Sequence, residues 1–207
     1  YLDIIPREFG VCGVVKDAGD DPDVTNGSEI VTKVELFEEE GDIFFFGGEG
    51  VGTITQEGLK IPPGQPAINP VPRQMAEKAI RKIIGNKKAS VTVSIPGGKE
   101  LAKKTFNPRL GIVDGLSVLG TTGIVRPMSE EAMKDSLIAE LDMYAKQGHK
   151  TILFVLGGTG ETALKEQYGE FQCILQGRTF DAGILVIIYF RSLADKGLQV
   201  SQDIDSL

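Results

Sequence analysis

Gly115-Leu116-Ser117-Val118-Leu119-Gly120-Thr121-Thr122-Gly123-Ile124-Val125-Arg126-Pro127-Met128-Ser129 leads from an apolar strand into a helix through a tight turn of glycine and threonine. Backbone N–H groups at the start of a helix have no intrahelical partner, and glycine puts no Cβ in a ligand's way, so anionic and nucleoside ligands favour such junctions. Reading onward, the pattern predicts a strand at 112–119, the turn, a helix at 130–147, a strand at 151–156, the turn Gly157-Gly158-Thr159-Gly160, a further helix and a strand at 171–175. Ser129 is the expected N-cap, and Met133, Leu137, Leu141 and Tyr144 fall on one stripe of the long helix. The apolar run 184–190 adds a buried strand. Strands alternating with helices imply parallel crossovers, so residues 109–207 read as a Rossmann-like lobe with a mainly parallel sheet.

Residues 1–108 read differently, as a mixed α+β lobe, which makes the whole chain α/β in class. Val11 to Lys16 predicts a strand ended by the acidic loop Asp17 to Asp23. Period-two alternation over Ile30 to Phe37 predicts another, with Ile43 to Phe46 able to pair with it across the turn at 38–42. Five prolines between Pro62 and Pro72 predict an extended, kinked crossing. Helical spacing follows over Gln74 to Ile84 with Gly85-Asn86 as the stop, and Val91, Val93 and Ile95 alternate as a strand that closes at Pro96-Gly97-Gly98.

Composition narrows the function. With 22 Lys and Arg against 29 Asp and Glu, the chain carries a formal charge of −7 and no long basic tract, which argues against nucleic-acid binding. The longest uncharged apolar run, Ala182 to Phe190, is far short of the ~18 residues of a membrane span. No secretion signal opens the chain, so the expected location is the cytoplasm, and the absence of Met at Tyr1 points to a fragment or processed product. Cys12 and Cys173 lack any metal-ligand spacing and read as small buried hydrophobes, while the single His149 sits where a cation would suit a helix C-terminus. No protein metal site is expected.

Both glycine turns would line one crevice if their strands were sheet neighbours, although either alone reads equally well as an ordinary βα turn. Neither matches the dinucleotide or P-loop glycine pattern. The loop Asp17, Asp20, Asp21 and Asp23 fails as an EF-hand, because Asn26 stands where glycine belongs and Thr32 where the bidentate Glu belongs. It reads first as a turn whose Asp side chains bond their own backbone, and second as the source of a base or orienting group, Asp20 or Asp21.

Three further stretches accompany the Gly115–Ser129 segment: Val14 to Gly27; Gly47-Gly48-Glu49-Gly50-Val51-Gly52 leading to Pro66-Ala67-Ile68-Asn69-Pro70-Val71-Pro72-Arg73; and Ser94-Ile95-Pro96-Gly97-Gly98-Lys99 through Thr105-Phe106-Asn107-Pro108-Arg109. In this order, over residues 11–160, they resemble the CbiD family. The resemblance implies an S-adenosyl-methionine-dependent methyltransferase that acts on C-1 of cobalt-precorrin-5B in anaerobic cobalamin biosynthesis. It implies that Gly120, Thr121, Thr122 and Gly123 hold the methyl donor, and Gly157, Gly158 and Gly160 would face the same nucleoside if the two turns line one crevice. The 1–108 lobe would take the substrate, a flat cobalt-corrinoid bearing many carboxylates, with Asn69, Arg73, Arg109 and Arg126 as its contacts. Arginine forks suit bidentate carboxylate binding, whereas Lys99, Lys103 and Lys104 read rather as a solvated face. A homo-oligomer is compatible with all of this.

The chain departs from the family pattern in two places. A Thr-Thr-Gly and alanine-rich segment expected near the N-terminus has no counterpart before Tyr1, and Asp114 stands where the family shows glycine, either repelling a carboxylated substrate or facing solvent. Two rival readings remain: a ligand-binding homologue without turnover, and a nucleotide-dependent oxidoreductase with Glu161 as its ribose-binding acid.

Overall fold

In the computed structural model the residues described are 4–6, 10–20, 23–120, 130–149, 153–168 and 174–177. The elements run β1 (Ile4–Pro6), β2 (Val11–Val15), β3 (Glu29–Glu40), β4 (Ile43–Gly47), β5 (Thr53–Ile54), α1 (Pro70–Ile84), β6 (Lys87–Ser94), α2 (Gly98–Ala102), a 3-10 turn at Asn107–Leu110 and β7 (Ile112–Val113). After these come α3 (Glu130–Lys146), β8 (Leu153–Leu156), α4 (Gly157–Tyr168) and β9 (Ile174–Gly177). The chain divides into two compact units, Tyr1–Gln56 with Lys60–Ser129, and Glu57–Leu59 with Glu130–Leu207.

The first unit is built on a five-stranded sheet in the order β1-β2-β3-β6-β4, antiparallel except that β4 runs parallel to β6. Alternation in β6 sets the core: Ala89, Val91 and Val93 are buried and meet Ile43, Val51, Ile68, Ile95 and Leu116, with Ile80 and Ile84 of α1 packed against them. β4, α1 and β6 therefore form a strand–helix–strand crossover between neighbouring parallel strands.

That arrangement corrects the expected hairpin. Ile43 to Phe46 does not pair with Ile30 to Phe37, because β6 is inserted between them, Val91 facing both Val34 and Phe45. Gly41 and Asp42 carry the chain across the end of β6, and Arg81 ties the crossing by donating to the carbonyls of Gly41 at 2.7 Å and Lys87 at 2.7 Å. A parallel insertion of this kind pairs residues distant in sequence and leaves no local signature.

α1 also starts earlier than its apolar spacing indicates, at Pro70 rather than Gln74. Pro70 and Pro72 occupy the first turn, where no N–H is needed for intrahelical bonding, and Asn69 before them is extended at ψ 158°. Gly85 ends the helix with φ 62°, as expected. Cys12, expected inside, is exposed: β2 lies beyond the β6–β4 core. Cys173 falls outside the described residues, as does the run 184–190.

The predicted strand over 112–119 is broken up. Ile112–Val113 pairs with β5, and Leu116 and Val118 then make single parallel bridges to Val51 and Ile68. The break falls at Asp114, whose φ of 61° is the only positive value for a non-glycine among the described residues. An L-residue is strained there, which accounts for glycine being the residue expected at this position. The Asp114 carboxylate meets Lys99 Nζ at 2.6 Å, and that hydrogen bond raises the Lys99 pKa from its ordinary value.

In the second unit β8 and β9 pair in parallel around α4, so the strand–helix–strand expectation holds for this part. Leu137, Leu141 and Tyr144 of α3 are buried along the predicted stripe, together with Met143 and Glu140, whose carboxylate accepts from the Tyr144 hydroxyl at 3.2 Å. His149 follows the end of α3 and meets the Tyr144 ring edge-on, centroids 5.9 Å apart.

Replacing Asp114 by glycine or alanine removes the Lys99 pair in either case, but only glycine also relieves the left-handed backbone. Asp114→Gly should therefore be more stable than Asp114→Ala by about 1 kcal/mol in urea unfolding. Equal stabilities would show that the backbone at this position carries no strain.

Candidate functional site

Gly47 at the end of β4 lies level with Val93 near the end of β6, so two neighbouring parallel strands finish side by side. Ligands in α/β units collect beyond such strand ends. β3 starts at this end, Val31 opposite Ser94, and β2 finishes there, Val15 opposite Glu29. The loops 16–28, 48–52 and 95–98 thus leave the sheet together.

The three glycine-rich stretches read from sequence converge here into one backbone junction. Leu116 N–H donates to the Gly50 carbonyl at 2.8 Å, Gly52 N–H to the Leu116 carbonyl at 2.9 Å, and Ile95 N–H to the Glu49 carbonyl at 2.7 Å. A Cβ on Gly115 would stand 2.4 Å from the Gly50 oxygen, and one on Gly98 would stand at the same 2.4 Å from that atom. Residues 116–118 continue as a rung between two loops: Ala67 N–H donates to Gly52 (2.8 Å), Val118 N–H to Ala67 (2.8 Å) and Asn69 N–H to Val118 (2.9 Å).

This rung brings Gly120 to the start of α1. Among the described residues, a Cβ on Gly120, whose φ is 37°, would have the Pro72 ring as its one neighbour within 4 Å, at 3.4 Å. Asn69 is the N-cap residue of α1, yet its side chain makes no capping bond. Arg73 Nε donates to the Ile68 carbonyl at 2.7 Å and Nη2 to the Pro66 carbonyl at 3.2 Å, with the guanidinium 5.9 Å from the centre of the Phe45 ring. Partial burial lowers its pKa from the ordinary value. Asn69, Arg73 and Gly120 are therefore neighbours, and Arg73 braces the loop before α1. Pro70 and Pro72 lack N–H groups and Arg73 N–H donates to Asn69 at 3.3 Å, so the start of α1 is poorly equipped as an anion nest.

Arg109 is half-buried in the 3-10 turn. Thr121, Thr122, Gly123, Arg126 and Asp21 lie outside the described residues. Asp20 is exposed on the 16–28 loop, whose described hydrogen bonds stay within the loop, as its self-bonding pattern predicts. Asp17 accepts from Gly19 N–H at 2.8 Å and Asp23 from Thr25 N–H at 2.8 Å. Lys16 pairs with Asp23 and donates to the Thr25 hydroxyl at 2.6 Å. Burial alone would raise the Asp23 pKa, but the Lys16 ammonium and the two Thr25 donors outweigh it and hold the carboxyl below its ordinary value.

In the second unit Gly157, Gly158 and Gly160 do not form a turn after β8; they are the first turn of α4 itself. Gly160 lets the helix lie close on its own strand, since a Cβ there would be 3.3 Å from Val155 Cβ. The strand pair β8–β9 and the β5–β7 pair belong to separate sheets, so the adjacency required for one shared crevice is not met among the described residues. Glu161, the acid of the oxidoreductase reading, is on α4 rather than at a strand end and pairs with Lys165 at 2.9 Å.

Sequence reading gave no role to Asn107, which is 7 % exposed and accepts a hydrogen bond from the Ser117 hydroxyl at 3.0 Å. A polar residue before proline reads as a turn former, and only its burial sets it apart. Among the described residues no group of three or more His, Cys, Asp or Glu could hold a metal ion, and no helix is long and apolar enough to cross a membrane.

The CbiD family profile matches residues 4–127. The chain belongs to the CbiD family. A CbiD relative from Desulfitobacterium hafniense, named cobalt-precorrin-5B C(1)-methyltransferase, is 51 % identical over 154 residues, 74 % of this chain and 40 % of that protein. Relatives of the same name from Methanocaldococcus jannaschii (53 % over 171 residues, 79 % of this chain and 47 % of that protein) and a Thermoanaerobacter species (47 % over 198 residues, 90 % and 54 %) are comparable. The chain spans about half the length of these curated relatives. A crystal structure of a cobalamin biosynthesis protein (cbiD) from Archaeoglobus fulgidus is similar at 26 % identity and a TM-score of 0.46, covering 93 % of this chain and 70 % of that one.

Two stability experiments test the junction. Gly115→Ala drives a Cβ into backbone and should cost about 3 kcal/mol or more, whereas Gly64→Ala, with φ 84° and open space around it, should cost about 1 kcal/mol. Similar losses would dismiss the close approach. For Asp23 the depressed carboxyl contributes stability above the unfolded value, and that stability is lost as pH falls through the folded value. With both partners about 30 % exposed, Asp23→Asn should cost on the order of 0.5–1 kcal/mol at pH 7, and thermal unfolding of variant and wild type should converge toward pH 2.

Proposed function

We propose that this chain carries out S-adenosyl-methionine-dependent methylation of C-1 of cobalt-precorrin-5B, giving cobalt-precorrin-6A in anaerobic cobalamin biosynthesis. The observation that carries this is identity of about half to relatives of that name over 74 to 90 % of the chain. The glycine junction at the ends of two parallel strands supports it as a place for ligands. Gly120 leads from this junction into the turn, and among the described residues a Cβ there would meet nothing nearer than the Pro72 ring.

We assign Gly120, Thr121, Thr122 and Gly123, and in the second unit Gly157, Gly158 and Gly160, to the methyl donor. Residues 109–207 would be the donor side, a Rossmann-like lobe in which β8–α4–β9 is one strand–helix–strand unit, with 1–108 as the substrate side. Asn69, Arg73, Arg109 and Arg126 would face the carboxylates of the corrinoid, and Asp20 or Asp21 would be the base or orienting group.

The donor supplies a methyl on a positively charged sulfonium. The methyl moves to ring carbon while the sulfur keeps the electrons of the broken bond, so the protein's main task is alignment. A junction held by backbone hydrogen bonds suits that task, because ligand binding need not order it first.

Calorimetry with S-adenosyl-homocysteine should show saturable one-to-one binding, with no binding of a nicotinamide dinucleotide. Cobalt-precorrin-5B with a methyl-labelled donor should then become labelled. Binding of the dinucleotide alone, or of neither, would overturn the reading; binding without label transfer would favour a ligand-binding homologue.

A further inference from the structure

β4 leaves one edge of the five-stranded sheet open. β6 lies on one side of it, and no described strand lies on the other. Ala89 N–H donates to the Asp42 carbonyl at 3.3 Å and Gly48 N–H to the Val93 carbonyl at 2.7 Å. Bonding in a parallel pair falls on alternate residues, so in this register the main chain of Phe44 and Phe46 also faces β6. The N–H and C=O groups of Ile43, Phe45 and Gly47 point the other way, out of the sheet, and have no hydrogen-bond partner among the described residues.

Nothing in the sequence of β4 blunts this edge. Proline, charge or a bulge commonly protects a sheet edge from a further strand. The opposite edge strand, β1, carries Pro6. β4 reads Ile-Phe-Phe-Phe-Gly and pairs with β6 without a shift of register. On the face turned away from the core, Phe44 is 47 % and Phe46 50 % exposed. Open main chain beside two half-exposed rings is a surface that another strand would cover.

We propose that β4 pairs antiparallel with β4 of a second copy of this chain, about a two-fold axis at Phe45, so that two five-stranded sheets become one. The outward-pointing groups set the register. Phe45 and the partner's Phe45 form a hydrogen-bonded pair, and Ile43 forms another with the partner's Gly47. Phe44 then stands opposite the partner's Phe46 at a site without main-chain bonds, where side chains approach most closely and aromatic pairs are favoured. A register two residues away would set one ring of each copy against Asp42 or Gly48.

Charge complementarity favours the same pairing. Arg81 donates to the Gly41 carbonyl at 2.7 Å, just before β4, and its other described partners are the carbonyls of Gly85 and Lys87. Glu49, just past the end of β4, is exposed and has no ion pair among the described residues. The axis sets the start of one β4 against the end of the other, so Arg81 of each copy lies level with the partner's Glu49. Arg73 lies over Phe45 near the axis, but its guanidinium is turned back on the Ile68 and Pro66 carbonyls of its own chain. Two short strands and four rings cover less than a permanent interface does, so the dimer dissociates on dilution.

Sedimentation velocity over a concentration series should show monomer converting to dimer and to nothing larger. Phe44→Lys and Phe46→Glu, each with wild-type circular dichroism, should each raise the dimer dissociation constant about tenfold or more. The double variant Phe44→Lys/Phe46→Glu should recover most of that loss, because the register sets position 44 opposite the partner's position 46 and the two introduced charges are opposite. In the wild type, without any substitution, the Phe45 and Gly47 amide hydrogens should exchange more slowly as concentration rises. A wild type that stays monomeric, a dimer indifferent to both single variants, a double variant no better than the weaker single, or exchange independent of concentration would each overturn the proposal. Growth beyond a dimer would overturn it too, since a head-to-tail contact does not close. None of these readouts involves the methyl donor or the corrinoid, so failure here leaves the methyltransferase reading untouched.

Discussion

The approach of Gly50 to Gly98 and Gly115, backbone against backbone, is the constraint on which this end of the molecule depends. One carbonyl, that of Gly50, accepts from Leu116 while two Cα atoms crowd it so closely that a methyl group on either would stand 2.4 Å away. Because the contact is made by main chain, the positions of β4, α2 and the 115–120 segment are fixed without reference to side-chain rotamers. Val51, Ile68 and Leu116, which flank these glycines, are core residues. Loosening the junction would therefore open the hydrophobic interior as well as the candidate site, and the two are stabilised by the same contacts.

Local physics made much of this legible in the sequence. The alternation of β6, the stripe on α3, the stop at Gly85 and the self-bonded acidic loop follow from periodicity and turn chemistry, which act over a few residues. The insertion of β6 between β3 and β4 does not, because parallel pairing joins segments more than forty residues apart. The 112–119 run has the pattern of a single strand because Asp114 hides a left-handed position that glycine would announce. The glycines at 157–160 suggest a turn because glycine is a poor helix former, yet here they open α4 where it lies close on β8.

Within the candidate site, residue type was informative and partnership was not. Arg73 stands out in the sequence as a cation after a proline-fixed bend, and its placement beside Asn69 and Gly120 agrees with that. Its two carbonyl bonds, however, are made to residues five and seven positions back, a geometry that only the folded loop creates. Asn107 illustrates the opposite failure. Nothing in the local sequence separates a buried amide bonded to a serine hydroxyl ten residues on from an ordinary turn former.

The charge of −7 acts on the site through what its cations are tied to. Lys16 faces Asp23, Lys99 faces Asp114 and Lys103 faces Glu100, so each of these positive charges is largely cancelled by a neighbour. Arg73 differs because its partners are carbonyl oxygens. These are dipoles rather than counter-charges; they fix the direction of the guanidinium and leave its unit charge in place. In a partly buried setting that charge is screened less than one on the surface. If the ligand is the polyanion proposed, an acidic protein gains more from one such braced cation than from several lysines already neutralised, since the ligand then displaces no carboxylate and orders no long side chain on binding.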